Sequence, residues 1–234
     1  MRKATTPAIL IASIAVASAW TSGCRLPEDD DFNQPDGGFD ASNDDDAGPG
    51  AACPPGTEDL FNNAYSPYAG GDESVLLEVV GYSFFKCPHC ASFAQSWEQL
   101  WEENPEFRAH VRVYFHHFPF DYTSAWDVHA ATVAAGNQGM EYFWQVHDYL
   151  FDGLSNDGVT YSLDEIRAYC ESTLLLEMTQ FELDLADPYT YSFLGWDKEQ
   201  AQAVGITGTP SVFVCGKKIS WGDLGEIVAG YLDL

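Results

Sequence analysis

The apolar pattern divides the chain from about residue 75 onward into a short series of elements. Residues 75–85 (VLLEVVGYSFF) are a nearly continuous run of β-branched and aromatic residues, which predicts a buried strand. Over residues 88–103 the apolar positions Phe93, Ala94, Trp97, Leu100 and Trp101 recur at helical spacing, and Asn104-Pro105 closes the run. Residues 111–115 (VRVYF) predict a second strand. Helical spacing then dominates residues 124–203, with an alanine-rich stretch at 130–135 and an apolar face through Tyr142, Phe143, Val146, Tyr149 and Leu150. Ser162 is placed to cap the helix that carries Leu163, Ile166 and Tyr169. Gly205 stops the last helix of this block. Residues 211–215 predict a third strand, Gly216-Lys217 a tight turn, and residues 218–220 a short return strand. Asp223 can open a final helix with Leu224, Ile227, Val228, Tyr231 and Leu232 on one face. The order is strand, helix, strand, helical block, hairpin, helix, an α/β arrangement without an internal repeat.

The N-terminal quarter reads differently. Met1-Arg2-Lys3 precedes an apolar stretch over residues 8–20 and then Thr21-Ser22-Gly23-Cys24, the order of a secretory signal. A single Cys after small residues resembles the bacterial lipoprotein signal, although Thr21 stands where an aliphatic residue is usual. That resemblance implies a signal over residues 1–23 and lipid attachment at Cys24. A plain cleaved signal and an uncleaved anchor are the alternatives; Pro7 and the short run count against the anchor. Residues 26–52 hold nine acids among Gly and Pro with few apolar residues, which predicts an extended acidic tether over residues 24–56. The spacing of a calcium loop with its terminal Glu is missing there. A globular domain is expected over residues 57–234, with the helical insertion at about 123–204.

Charge narrows the function. The chain has 36 acids against 10 bases, a net charge of −26, and from Thr57 onward 27 acids stand against 7 bases. Such a surface repels phosphate backbones, so no nucleic-acid partner is expected.

Chemistry concentrates at Cys87-Pro88-His89-Cys90, where a strand gives way to a helix. Unpaired N–H groups and the positive dipole end at a helix start stabilise a thiolate at Cys87. Pro88 suits the first turn. His89 and Lys86 are expected to add positive field, and Cys90, one turn on, is placed to close a disulfide with Cys87. A zinc site would need two further ligands. His116 and His117 are adjacent on a strand and point to opposite faces, so they make a poor chelating pair, and no metal or other cofactor is expected beyond the cysteine pair. A purely structural disulfide is the remaining alternative. Gly208-Thr209-Pro210 before the third strand suggests a cis bond that would lay the Thr209 backbone beside Cys87.

Taken together, C-P-H-C after a strand, about 120 residues before G-x-T-G-T-P-S-x-x-V, resembles the DsbA-type thiol–disulfide oxidoreductases. Val113 through His117-Phe118-Pro119, and Gln138-Gly139 through Phe143-Trp144, His147 and Leu150-Phe151, are similar to further family segments. The resemblance implies a thioredoxin-like fold with a helical insertion between the second strand and the cis-Pro hairpin. It implies Cys87 as nucleophile, Cys90 as resolving thiol, Pro88 and His89 as tuning residues, and Thr209 with Pro210 as the substrate platform. Thiols of exported proteins would be the substrates and a membrane redox partner would recycle the enzyme. The location would be the periplasmic side of a bacterial envelope, with Arg25 after the lipid Cys favouring the outer membrane. C-P-H-C suggests a dithiol oxidase; a reductase or isomerase would use the same residues, and a non-catalytic peptide-binding module is the alternative of another class.

Two departures from the family stand out. Gly81 occupies the position of an acid that often serves the resolving thiol, and nearby Glu78 is expected on the other strand face. Cys215 stands where the family often has Asn before Gly. Cys53, Cys170 and Cys215 permit at most one further disulfide, and Cys215 is expected to be a buried small hydrophobe. His129 and His147 are expected to be surface or packed helix residues, and Trp97, Trp101, Trp126, Trp144 and Trp196 to serve packing.

Overall fold

The computed structural model describes residues 63, 66–71, 75–120 and 123–232. The expected signal, Cys24, Cys53 and the acidic tether lie outside these residues. Among the described residues no helix is long and apolar enough to cross a membrane.

Five strands form one sheet in the order β1-β3-β2-β4-β5: β1 (Tyr68–Gly70), β2 (Leu77–Ser83), β3 (Val111–His117), β4 (Ser211–Val214) and β5 (Lys217–Ile219). β2 and β3 run parallel, with Val79 opposite Val113 and Gly81 opposite Phe115, and the other pairings are antiparallel. The connection from β2 to β3 carries α1 (Pro88–Glu103) and a short helix, α2 (Pro105–His110). Pro105 therefore ends one helix and begins another: it takes the first position of α2, where its missing N–H costs nothing. Neither β1 nor α2 is announced by periodicity, because each is too short to show it.

The period-two alternation of the strands sorts the core. One face of β2, β3 and β4 (Leu77, Val79, Val111, Val113, Val212, Val214) packs with Phe93 and Trp97 of α1 and with Leu224 and Val228 of α8 (Leu224–Leu232). The opposite face (Val80, Tyr82, Tyr114, Phe213) meets Ala201 and Ile206. Glu78, on this second face, accepts a hydrogen bond from the Tyr114 hydroxyl at 2.9 Å, on the side away from Gly81, as alternation along β2 requires. Trp97 packs edge-on against Trp101 and Trp144, at 4.9 and 5.7 Å between ring centres.

The helical block between β3 and β4 resolves into five helices: α3 (Thr123–Gly136), α4 (Met140–Asp157), α5 (Leu163–Ser172), α6 (Met178–Ala186) and α7 (Pro188–Ala203). The alanine-rich stretch lies at its centre: Ala130, Ala131, Ala134 and Ala135 are fully buried, and their small side chains let the neighbouring helices approach α3 closely. Ser162 caps α5 in a reciprocal capping box with Glu165. Gly205 follows α7 with φ +75°, as its helix-stopping role demands.

The turn between β4 and β5 corrects the sequence reading. Its two residues are Cys215 and Gly216, both with positive φ (48° and 71°), the geometry of a two-residue hairpin that favours Asn-Gly. Cys215 is buried as expected, but it is not a simple hydrophobe. It is disulfide-bonded, and because Cys87, Cys90 and Cys170 are free, its partner lies outside the described residues.

The least expected feature of the fold is a polar network at the end of β3 in which His116, His117 and Asp197 are fully buried. Asp197 of α7 contacts His116 Nδ1 through Oδ1 at 2.8 Å and accepts from the His117 backbone N–H through Oδ2 at 2.7 Å. His116 Nε2 meets Asn63 Oδ1 at 2.8 Å. Removing the carboxylate strands buried donors, so Asp197→Ala is expected to destabilise the fold by about 3–5 kcal/mol, with Asp197→Asn milder, both read by urea denaturation.

Candidate active site

The segment before the cysteines is pinned from below. Phe84 and Phe85 are buried, Phe85 stacks on Phe115 at 5.0 Å and lies 4.7 Å from the His129 ring, and Phe84 stacks over His129 at 5.9 Å. The Phe84 carbonyl accepts from the Cys87 N–H at 3.0 Å, closing a turn that delivers Cys87 to the N-cap of α1. Pro88 takes the first helical position, and the Cys87 carbonyl starts the helical ladder by accepting from Cys90 and Ala91 N–H at 3.0 and 3.1 Å. Cys87 is half-buried, Pro88 and His89 are exposed, and Cys90 is fully buried.

Thr209 and Pro210 arrive from the other end of the chain. The Thr209–Pro210 peptide is cis, and the Thr209 carbonyl lies 3.4 Å from Cys87 Sγ, which donates to it when protonated. The Ser211 hydroxyl donates to the Gly208 carbonyl at 2.8 Å and holds this turn against β4.

The two thiols differ in chemistry because they differ in surroundings. Cys87 is lowered from 9.0 to about 5; the largest cause is the hydrogen bond from the Cys90 thiol, followed by Thr209 and the backbone N–H groups of Cys90 and His89 against an opposing burial effect. Cys90 is pushed far upward, first by burial and then by its bond to Cys87. One sulfur is an anion at neutral pH and the other holds its proton toward it. The field at Cys87 thus comes from backbone amides and from Cys90. The amide of His89 takes part, while neither its ring nor Lys86 figures among the causes.

Gly81 needs no side chain where it sits. A Cβ there would lie 2.9 Å from Phe93 Cε1, so the phenylalanine ring occupies the space an acid would enter. The sequence also left unread the histidine pair behind the redox turn. His117 and His129 are both fully buried with Nδ1 atoms 2.8 Å apart, so one ring donates and the other accepts. Burial holds both rings neutral, with His117 well below the ordinary range and His129 lowered to about 3. The adjacent histidines of β3 do point to opposite faces: His116 reaches Asp197 and His117 reaches His129. The doubled histidine was the only signal for either contact.

A family model described as Thioredoxin matches residues 64–232, and the chain belongs to that family. A probable disulfide bond formation protein D from Bacillus anthracis is 26% identical over 148 residues, covering 62% of this chain and 68% of the relative. A Na(+)/H(+) antiporter NhaA 1 from Salinispora arenicola is 29% identical over 155 residues, 63% of this chain but 21% of that protein, so the likeness is confined to one part of it. Oxidised BdbD from Bacillus subtilis superposes with a TM-score of 0.61 at 18% identity, covering 80% of this chain and all of that one. The thioredoxin-like family and fold implied by the motifs are therefore borne out.

The lowered thiol has a consequence for stability. A group with a depressed folded pKa stabilises the fold above its unfolded pKa, and that contribution is lost as pH falls through the folded value. The reduced protein is therefore expected to lose stability relative to the oxidised form as pH drops from about 9 to about 5. Paired urea titrations of the two forms check this, and thiolate absorbance at 240 nm is expected to titrate with a midpoint near 5 and to vanish in Cys87→Ser.

Proposed function

We propose that this protein is an extracytoplasmic dithiol oxidase that introduces disulfides into exported proteins. The observation that carries the reading is the Cys87 sulfur, held as an anion beside a buried, protonated Cys90 and within reach of the Thr209 carbonyl.

The oxidised enzyme holds a Cys87–Cys90 disulfide. A substrate thiolate attacks Cys87 Sγ; a substrate–Cys87 bond forms, the Cys87–Cys90 bond breaks, and Cys90 leaves with the electron pair and takes up a proton. The substrate's second thiolate then attacks the substrate sulfur of the mixed disulfide and releases Cys87 as thiolate. The substrate dithiol has lost two electrons to the cysteine pair, and a membrane-held redox partner removes them to restore the disulfide. No other cofactor enters this scheme. Stabilising the Cys87 thiolate favours the reduced pair, which makes the disulfide a strong oxidant.

The half-buried Thr209, next to cis Pro210 and the reactive sulfur, supports a substrate platform that takes an extended chain by main-chain hydrogen bonds. Pro88 starts α1 and His89 contributes its amide; they tune the pair through helix geometry. With Gly81 in place of an acid, proton delivery to Cys90 runs without a carboxyl at that strand position. The signal-like N-terminus supports export, with Cys24 as lipid anchor, an acidic tether reaching the domain, and a position on the periplasmic side of a bacterial envelope, Arg25 favouring the outer membrane.

Trapping tests the mechanism directly. Cys90→Ala is expected to accumulate mixed disulfides with exported proteins through Cys87, and Cys87→Ala to abolish exchange altogether. If the Cys87→Ala protein keeps its cellular role, the fold serves as a binding module instead. A reduction potential near or below about −270 mV, that of thioredoxin, would overturn the oxidase direction in favour of a reductase.

A further inference from the structure

Away from the redox turn, α1 and α4 meet at a second cluster of donor side chains. Glu98 of α1 and His147 and Asp148 of α4 each bring one ligand atom within 4.8 Å of the other two. His147 Nδ1 lies 2.7 Å from Asp148 Oδ1, and the Glu98 side chain hydrogen-bonds that of Asp148. The donors differ in setting: the His147 ring is 2% exposed, whereas the Asp148 side chain is half in solvent. His147 is fixed by aromatic neighbours, with Trp144 and Phe151 both 4.8 Å from it between ring centres and Phe115 at 5.4 Å. The charges acting most strongly on Glu98 are those of Asp148, Asp152 and Glu102, all acids.

We propose that Glu98, His147 and Asp148 form a site for one divalent transition metal of the Zn²⁺ class, with solvent completing its coordination. The donor set gives the class. An imidazole nitrogen joined to two carboxylates suits a borderline ion such as Zn²⁺, whereas Ca²⁺ and Mg²⁺ prefer oxygen alone. Three protein ligands and a solvent position form an open Zn²⁺ arrangement. The packed imidazole is the preset ligand, and the half-exposed Asp148 carboxylate has the solvent-side freedom to close on an ion beside the partly buried Glu98. A groove of about 390 Å³, lined by Asp148, Asp152, Asn156 and Asp157 among others, borders the site on the Asp148 side. Glu98 lies two helical turns beyond Cys90, about 12 Å along α1, so the ion would join the active-site helix to the helical insertion without touching the thiols.

Calorimetric titration of the oxidised full chain with Zn²⁺ alone tests the site, because closing the Cys87–Cys90 disulfide removes the competing thiols. One saturable Zn²⁺ per chain is expected above the weak background of the acidic tether. Glu98→Gln and Asp148→Asn are each expected to weaken it by at least about tenfold, with circular dichroism and disulfide exchange unchanged. The background from residues 26–52 is common to all three proteins and cancels in the comparison. The His147 ring resonances are expected to shift on Zn²⁺ addition, a readout that loss of packing would not produce. No saturable site, equal affinity in both variants, or tighter binding of Ca²⁺ than of Zn²⁺ would overturn the proposal, and none of these outcomes bears on the cysteine chemistry.

Discussion

A thiolate carrying a full charge at the edge of a folded protein needs donors that cannot rearrange, and the start of α1 supplies them. The amides of His89 and Cys90 act on the Cys87 sulfur, that of Cys90 while also bonding the Cys87 carbonyl, and the Cys90 thiol donates from the buried side. Everything else near the site keeps these donors in place. Phe84 and Phe85 anchor the preceding turn in an aromatic layer that includes Phe115, Phe151 and His129. Pro88 sets the first helical residue, and the turn ending at Pro210 limits the approach to the sulfur from the other side.

The same arrangement explains why the two cysteines of one motif have opposite roles. They lie three residues apart, but the helix turns one outward and the other into the apolar core between α1 and the insertion. Burial raises Cys90 and its hydrogen bond to Cys87 raises it further, so the proton that Cys90 keeps is the one that stabilises its partner's charge. Exchange of a disulfide for this anion–donor pair is favourable for reasons local to one helical turn.

Much of this was legible in the chain. The strand runs, α1, the capped start of α5, the stop at Gly205 and the last helix all follow from periodicity and caps, because each buries one face against the sheet or the insertion and has a distinct boundary residue. The pairing of C-P-H-C with the distant Gly-Thr-Pro was legible because both patterns are rare. Short elements were not: β1 and α2 span less than two periods of their own repeat. Cys215 was misjudged because a buried cysteine and a half-cystine share the same apolar neighbourhood in sequence, and only the fold brings a partner to it.

The polar core marks the boundary most clearly. From residue types alone, His116, His117, His129 and Asp197 are four polar residues scattered over three elements, and nothing in their spacing joins them. The sequence determined the redox motif, the reactive first cysteine and the order of elements, since these depend on neighbours within a helical turn or a strand. Which histidine meets Asp197 and which phenylalanine fills the space beside Gly81 were decided by the tertiary structure. The first contact joins residues 81 positions apart and the second joins a helix to a strand, and only side-chain packing in three dimensions selects among the partners a chain offers.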